Sequence, residues 1–206
     1  MPASRVALDI ETYTGGVTPD GERTGLDPRY TPIISVAATF AHEGEFFAYP
    51  HERDILAALE EWMREFAPQA ELLVTWNGAN FDLPFLATRA AMNNIEISLS
   101  LRPSELRPPK YRVCPGYSAG QLANWAGTDH VDLMYAYEDF ARTSNIRWGL
   151  KPVARAMGLD PIEVDATNME ALSNDELRLY NLSDVDTTLE LSYLSDITPW
   201  RDSLVS

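Results

Sequence analysis

Five residues carry side chains from which a reaction could be built: Asp9, Glu11, Asp82, Tyr180 and Asp184. Asp9 and Glu11 stand in Val6-Ala7-Leu8-Asp9-Ile10-Glu11-Thr12, where Val6, Leu8 and Ile10 alternate with smaller or polar side chains, the period of a strand. Being two apart, the carboxylates leave the same face of that strand. Ionised like charges that close repel each other, and burial adds to the penalty. A cation between them removes both problems, and an all-carboxylate set suits a hard ion such as magnesium or manganese. A strand end whose carboxylates face water or meet an arginine has the same local pattern, so the pair gains meaning only from the rest of the chain.

Two later stretches repeat the oddity. Asp82 lies at the mouth of an apolar helix just after Trp76-Asn77-Gly78, a position where aspartate also stabilises a helix start for local reasons. Tyr180 and Asp184 are one helical turn apart on one face, where a tyrosine is equally at home as packing. Four carboxylates on a strand, at a helix mouth and within a long helix can converge only around cations. Two-metal phosphoryl transfer needs such a set, with ions roughly 3.5–4 Å apart.

The elements that must position these groups follow from periodicity and turn chemistry. After the first strand, residues 12–32 form a long loop rich in Gly, Pro and Thr, leaving directly from the carboxylate pair. Residues 33–40 read as a second strand, His42-Glu43-Gly44 as a turn and residues 45–49 as a third strand. Ile55, Leu56, Leu59, Trp62, Met63 and Phe66 recur at helical spacing, with Pro68 ending the helix. Residues 72–76 suit a buried strand, and residues 81–93 a helix with Pro84 in its first turn. Residues 99–120 read as an irregular loop, in which basic residues are interleaved with Tyr111 and Tyr117. That mixture can hold a phosphate backbone and stack a base, and is also ordinary for a surface loop. Val131-Asp132-Leu133-Met134 fits a brief strand or a helix start, and residues 150–157 a short helix closed by Gly158. Ser173 and Glu176 form a capping box that opens the longest helix, running to residue 195. Strands that come first, with helices between and after them, imply an α/β fold: one domain over 1–206, a mixed β-sheet flanked by α-helices, with long loops at 12–32 and 99–120.

The totals narrow the function classes. A net charge of −15 opposes non-specific attraction to nucleic acid or anionic lipid. Yet half of the sixteen basic residues fall between Arg102 and Arg155, against five acidic ones there, so a locally positive rim is compatible with the acidic whole. No apolar run approaches eighteen residues, which argues against a membrane span, and the N-terminus lacks the basic-then-apolar pattern of a signal peptide. One cysteine, Cys114, excludes an intramolecular disulfide, and the expected location is cytoplasmic.

Ala7-Leu8-Asp9-Ile10-Glu11-Thr12, Trp76-Asn77-Gly78-Ala79-Asn80-Phe81-Asp82-Leu83-Pro84-Phe85-Leu86 and Tyr180-Asn181-Leu182-Ser183-Asp184 together resemble the three exonuclease motifs of the DEDD family, in family order. The tyrosine of the third motif resembles the DEDDy branch, and the second motif is most similar to the proofreading domains of family-B DNA polymerases and their stand-alone relatives. The resemblance spans Asp9 to Asp184. It implies an RNase H-like fold and a 3′–5′ exonuclease that takes two Mg2+ or Mn2+ ions. Asp9, Glu11, Asp82 and Asp184 would be the metal ligands, Asp9 bridging both ions, and Tyr180 would orient the attacking water. Asn77, Asn80 and Phe81 would lie near the terminal nucleotide, unless they only hold the turn. Lys151 stands where some relatives place a phosphate-contacting lysine, and by its own setting it reads as a solvated helix charge. Asp132 is similar to an auxiliary aspartate between the second and third motifs, and Asp186 falls off the face shared by Tyr180 and Asp184.

The implied substrate is a single-stranded or frayed DNA 3′ end, releasing nucleoside 5′-monophosphates. A chain of 206 residues leaves no room for a polymerase palm, so any proofreading is expected in trans, beside a protein partner in DNA replication or repair. The alternatives are an RNase D-like exoribonuclease and a non-catalytic nucleic-acid-binding domain. The loop at 12–32 is longer than the connection usual after the first motif.

Overall fold

The computed structural model describes residues 4–13, 15–18, 20–21, 26–104, 113–164 and 171–194. Its centre is β1 (Arg5–Thr12), which pairs antiparallel with β2 (Ile33–Phe40) on one side and parallel with β4 (Leu72–Thr75) on the other. Beyond β2 lies β3 (Glu43–Phe47). Beyond β4 come β7 (Thr128–Asp132), β6 (Gln121–Trp125) and the edge strand β5 (Leu99–Pro103). The order β3-β2-β1-β4-β7-β6-β5 makes a mixed sheet whose three central strands run parallel.

Strict alternation along β1 divides the molecule into two layers. Val6, Leu8 and Ile10 join Ile55, Leu56, Leu59 and Met63 of α1 (Glu52–Phe66) and Leu83, Phe85 and Leu86 of α2 (Asp82–Met92) in one core. Ala7 belongs to the opposite core, with Val153 of α5 (Leu150–Ala156) and Val185, Leu189 and Leu191 of α6 (Asn174–Leu194). Two short helices, α3 (Leu133–Ala136) and α4 (Glu138–Thr143), complete that second layer. Asp9 and Glu11 share the parity of Ala7, so they face α6. Small residues stand opposite them on β2: Ala37 pairs with Asp9 and Ser35 with Glu11. The register shifts between Glu11 and Thr12, a bulge of the kind found beside active sites.

The expected capping box forms. The Ser173 amide and hydroxyl donate to Glu176, whose own amide donates back to Ser173 Oγ. Other expectations move. The first hairpin turns on Ala41-His42, both with positive φ, so β3 begins at Glu43 rather than 45. A two-residue turn with left-handed backbone matches strand twist and needs no glycine when the pairing rewards it.

The stretch at 99–120 is not all loop, because β5 and β6 lie within and just beyond it. They bury Trp125 fully and reverse into β7 through Ala126-Gly127. An edge strand with one bonded neighbour tolerates the Pro103 that disguised it. Arg107, Lys110, Tyr111 and Arg112 lie outside the described residues.

Candidate active site

The parallel strands β1, β4 and β7 end on the same side of the sheet, and in open α/β sheets the carboxyl ends of strands are where ligands bind. Asp9 and Glu11 stand near that end of β1, beyond the last paired residue of β4, since Ala7 already meets Val74. Helix α6 crosses the same face and brings Tyr180, Asn181 and Asp184 over them, because positions i, i+1 and i+4 share one side of a helix turn. Carboxylate oxygens of Asp9, Glu11 and Asp184 all lie within 4.8 Å of one another. Asp82 enters from the other layer at the start of α2, where its Oδ1 accepts a 3.3 Å hydrogen bond from the Ile10 amide. Three of the four carboxylates singled out in the sequence thus cluster near the end of one strand, and Asp82 meets the same strand at the Ile10 amide.

Their electrostatics show what the protein itself fails to provide. Burial pushes the Asp9 carboxyl well above the aspartate range, and the charges of Glu11, Asp82 and Asp184 push it further, against the pull of Lys151. Burial, then Asp184 and Asp82, raise Glu11 to about 8. Asp82 rises to about 7, chiefly through burial, with the Ile10 hydrogen bond acting the other way. Asp184 is raised by burial, while Lys151 and a hydrogen bond from Tyr180 oppose the shift. The Tyr180 phenol is pushed up by burial and by the carboxylates, so it stays protonated and acts as a donor.

The residues fit a hard divalent cation on three counts. The ligand set is all oxygen and all carboxylate. Asp184 Oδ1 is buried, and the group that faces it is the Lys151 ammonium at 3.1 Å, an ion-pair partner without completed hydrogen-bond geometry. Asp9 and Glu11 keep part of their surface open to solvent, the side from which an ion and a substrate can arrive.

Lys151 corrects one reading. It is not a solvated helix charge: its side chain is 15% exposed, and Nζ lies 3.1 Å from Asp184 Oδ1 and 3.7 Å from the centre of the Tyr180 ring. Its ammonium offsets part of the repulsion within the cluster. Asp186 is exposed and stands away from the carboxylates, as its helical position requires.

The second-motif turn is held from beneath. Asp132 accepts from the amides of Asn77, Ala79 and Met134 at 2.8, 3.1 and 3.1 Å, so it shapes the turn and caps α3 and is not part of the carboxylate cluster. Asn77 takes the left-handed backbone at φ 67°. Asn80 is fully buried, its amide shared between Asn77 Oδ1 and the Tyr135 hydroxyl. Phe81 is half-buried against Phe85, ring centres 5.2 Å apart.

Sequence reasoning missed Asn181. Its Nδ2 donates to Asp9 Oδ2 at 2.7 Å, and its Oδ1 accepts from Ser35 Oγ at 3.1 Å. The available signal was a polar residue three before Asp184 on the same helix face.

A mixed sheet whose central strand end gathers carboxylates from three elements defines an α/β fold with an acidic cluster able to hold a divalent cation. Residues 19–194 match the model of the RNase H superfamily, to which the chain belongs. Over most of its length it is similar to a part of several DNA polymerases. DNA polymerase 1 of Sulfolobus acidocaldarius is 30% identical over 91% of this chain and 22% of its own length. DNA polymerase 1 of Sulfurisphaera ohwakuensis is 24% identical over 96% and 23%. The solved family-B DNA polymerase of Pyrobaculum calidifontis superposes with a TM-score of 0.66 at 22% identity, over 97% of this chain and 25% of that one, a likeness of fold. The chain therefore spans about a quarter or less of these polymerases. The acidic cluster and the shared ancestry support a metal-dependent nuclease activity. Among the described residues no helix is long and apolar enough to cross a membrane.

Proposed function

We propose that this chain is a 3′–5′ exonuclease that removes nucleoside 5′-monophosphates from single-stranded or frayed DNA 3′ ends with two Mg2+ or Mn2+ ions. The observation that carries the reading is the convergence of Asp9, Glu11 and Asp184, with Asp82 hydrogen-bonded to the same strand. When bound, the ions lower the pKa of water and offset the charge that builds on the departing 3′ oxygen. The chain's own part is to hold and orient. Asp9, Glu11, Asp82 and Asp184 supply the oxygen ligands. Tyr180, protonated and packed under Lys151, aligns the attacking water by donating or sharing a hydrogen bond rather than by taking its proton. Lys151, already beside Asp184, can meet a non-bridging phosphate oxygen. The buried asparagine network holds the second-motif turn, from which Asn77, Asn80 and Phe81 are proposed to meet the terminal nucleotide. DNA is the proposed substrate because the named relatives are DNA polymerases. Their context also supports a partner in replication or repair.

The test is a time course on 5′-labelled DNA and RNA of one sequence, in Mg2+ or Mn2+, with Asp9→Ala as control. A ladder that shortens from the 3′ end of DNA and is absent in the variant is expected. A ladder on RNA alone reassigns the substrate, and equal turnover in Asp9→Ala ends the mechanism.

A further inference from the structure

The carboxylate ligands have to be aimed as well as gathered, and one buried pair outside the ligand set is placed to aim Asp9. We infer that Asn181, locked by Ser35, is a positioning residue that presents Asp9 to the cation; this rests on the metal-dependent reading above.

Aspartate turns freely about its last torsion, where the wells are broad. Asp9 therefore needs a stop if one oxygen is to face Glu11 and Asp184 reproducibly. Asn181 Nδ2 supplies it at 2.7 Å from Asp9 Oδ2. The amide is itself held: Ser35 Oγ donates to Asn181 Oδ1 at 3.1 Å, and both residues are fully buried. A carboxylate that holds a cation only accepts, so in that state the amide nitrogen must face Asp9, and the serine hydroxyl must then donate to the amide oxygen. The relay has one polarity, running Ser35 to Asn181 to Asp9.

Its chemistry suits the place. A neutral donor steadies the carboxylate without adding a cation that would compete with the metal, as a lysine or arginine there would. Ser35 stands opposite Glu11 across the β1–β2 ladder, and Asn181 lies three residues before Asp184 on α6. The relay therefore ties together the strand, its neighbour and the helix that supply three of the ligands. Outer partners of this kind change metal affinity or activity by about 10–100-fold when removed.

The experiment measures Mn2+ binding to the protein alone, by the electron paramagnetic resonance of free Mn2+, alongside DNA hydrolysis as a function of Mn2+. Wild type, Asn181→Ala, Asn181→Asp, Ser35→Ala and the Asn181→Ala/Ser35→Ala double variant are compared. Asn181→Ala should weaken Mn2+ binding at least about tenfold, with turnover largely restored by excess Mn2+ and KM for the oligonucleotide little changed. Asn181→Asp keeps the shape and loses the donor, and should do no better. Ser35→Ala removes one hydroxyl, keeps the fold by near-ultraviolet circular dichroism, and should weaken binding less. Its effect should vanish in the double variant, since both act through one hydrogen-bonded path. Wild-type Mn2+ affinity in both Asn181→Ala and Ser35→Ala would overturn the inference while leaving the nuclease reading intact, as would additive losses in the double variant. A wild-type protein that neither binds Mn2+ nor cuts DNA would instead overturn the nuclease reading, and the inference with it.

Discussion

Glu60 and the Asp9 cluster are both carboxylates largely withdrawn from water, and the fold treats them in opposite ways. Glu60, on the inner face of α1, accepts from Ser98 N and Oγ, Arg64 Nε and Trp125 Nε1. Burial pushes its carboxyl up, but those donors outweigh burial and hold it below the ordinary glutamate range. Asp9, Glu11, Asp82 and Asp184 have few donors and one another's charge, and all are pushed up. Asp132 lies near the first pattern, satisfied by three backbone amides. A carboxylate used for structure is completed by the protein, whereas one kept for a ligand is left incomplete. The difference separates the two kinds without reference to any relative.

The sharpest way to break that contrast is catalytic. Asp9→Ala should reduce Mn2+-dependent turnover by more than the ~10²–10³-fold that loss of a single electrostatic donor brings. Glu60→Gln should leave turnover per folded molecule unchanged, and equal losses in the two variants would erase the distinction.

Stability against pH comes next. Folded-state values near 8 for Glu11 and near 7 for Asp82 lie above those of the unfolded chain. Their stabilising contribution is therefore complete below about pH 4 and is lost as pH rises through 7 to 8. The metal-free melting temperature should fall between pH 5 and pH 8. Mn2+ at 100-fold over its Kd should return about 2.7 kcal/mol, or about 5–10 °C for a chain of this size. Asp9→Asn should flatten the metal-free slope, and a slope unchanged by either Mn2+ or Asp9→Asn would show that these carboxyls do not set it.

Two smaller effects complete the series. Glu60→Gln should destabilise by about 1–3 kcal/mol, the range for leaving a buried partner short of its hydrogen bond, read by urea titration at pH 7. Asp132→Ala should cost about 1 kcal/mol for the lost cap. It should also loosen the Asn77–Ala79 turn, lowering turnover by less than Asp9→Ala does. If Asp132→Ala instead matched Asp9→Ala in turnover, Asp132 would belong with the cluster.

Much of the site was legible because its signals are local. Asp9 and Glu11 share a strand face by parity, Tyr180 and Asp184 share a helix face by period, and Ser173 with Glu176 marks where that helix begins. The elements misread were those whose identity depends on neighbours. β5 carries proline and arginine that an edge tolerates, and β3 starts two residues early because its turn uses non-glycine residues in the left-handed region. Lys151 looked solvated because nothing in its own segment reveals that α5 lies against α6 with Asp184 within reach.

The sequence by itself determined which side chains can hold a cation and on which face of each element they stand, since period and parity are properties of a single segment. Only the tertiary structure decided which of them meet, what compensates their charge and what aims them. Asn181 reaches Asp9 across 172 positions of chain and Ser35 across 146. Those contacts exist because β2 pairs with β1 in one register and α6 crosses that pair at one place. A one-residue slip of β1 would turn Asp9 toward the opposite core and leave the relay without its acceptor.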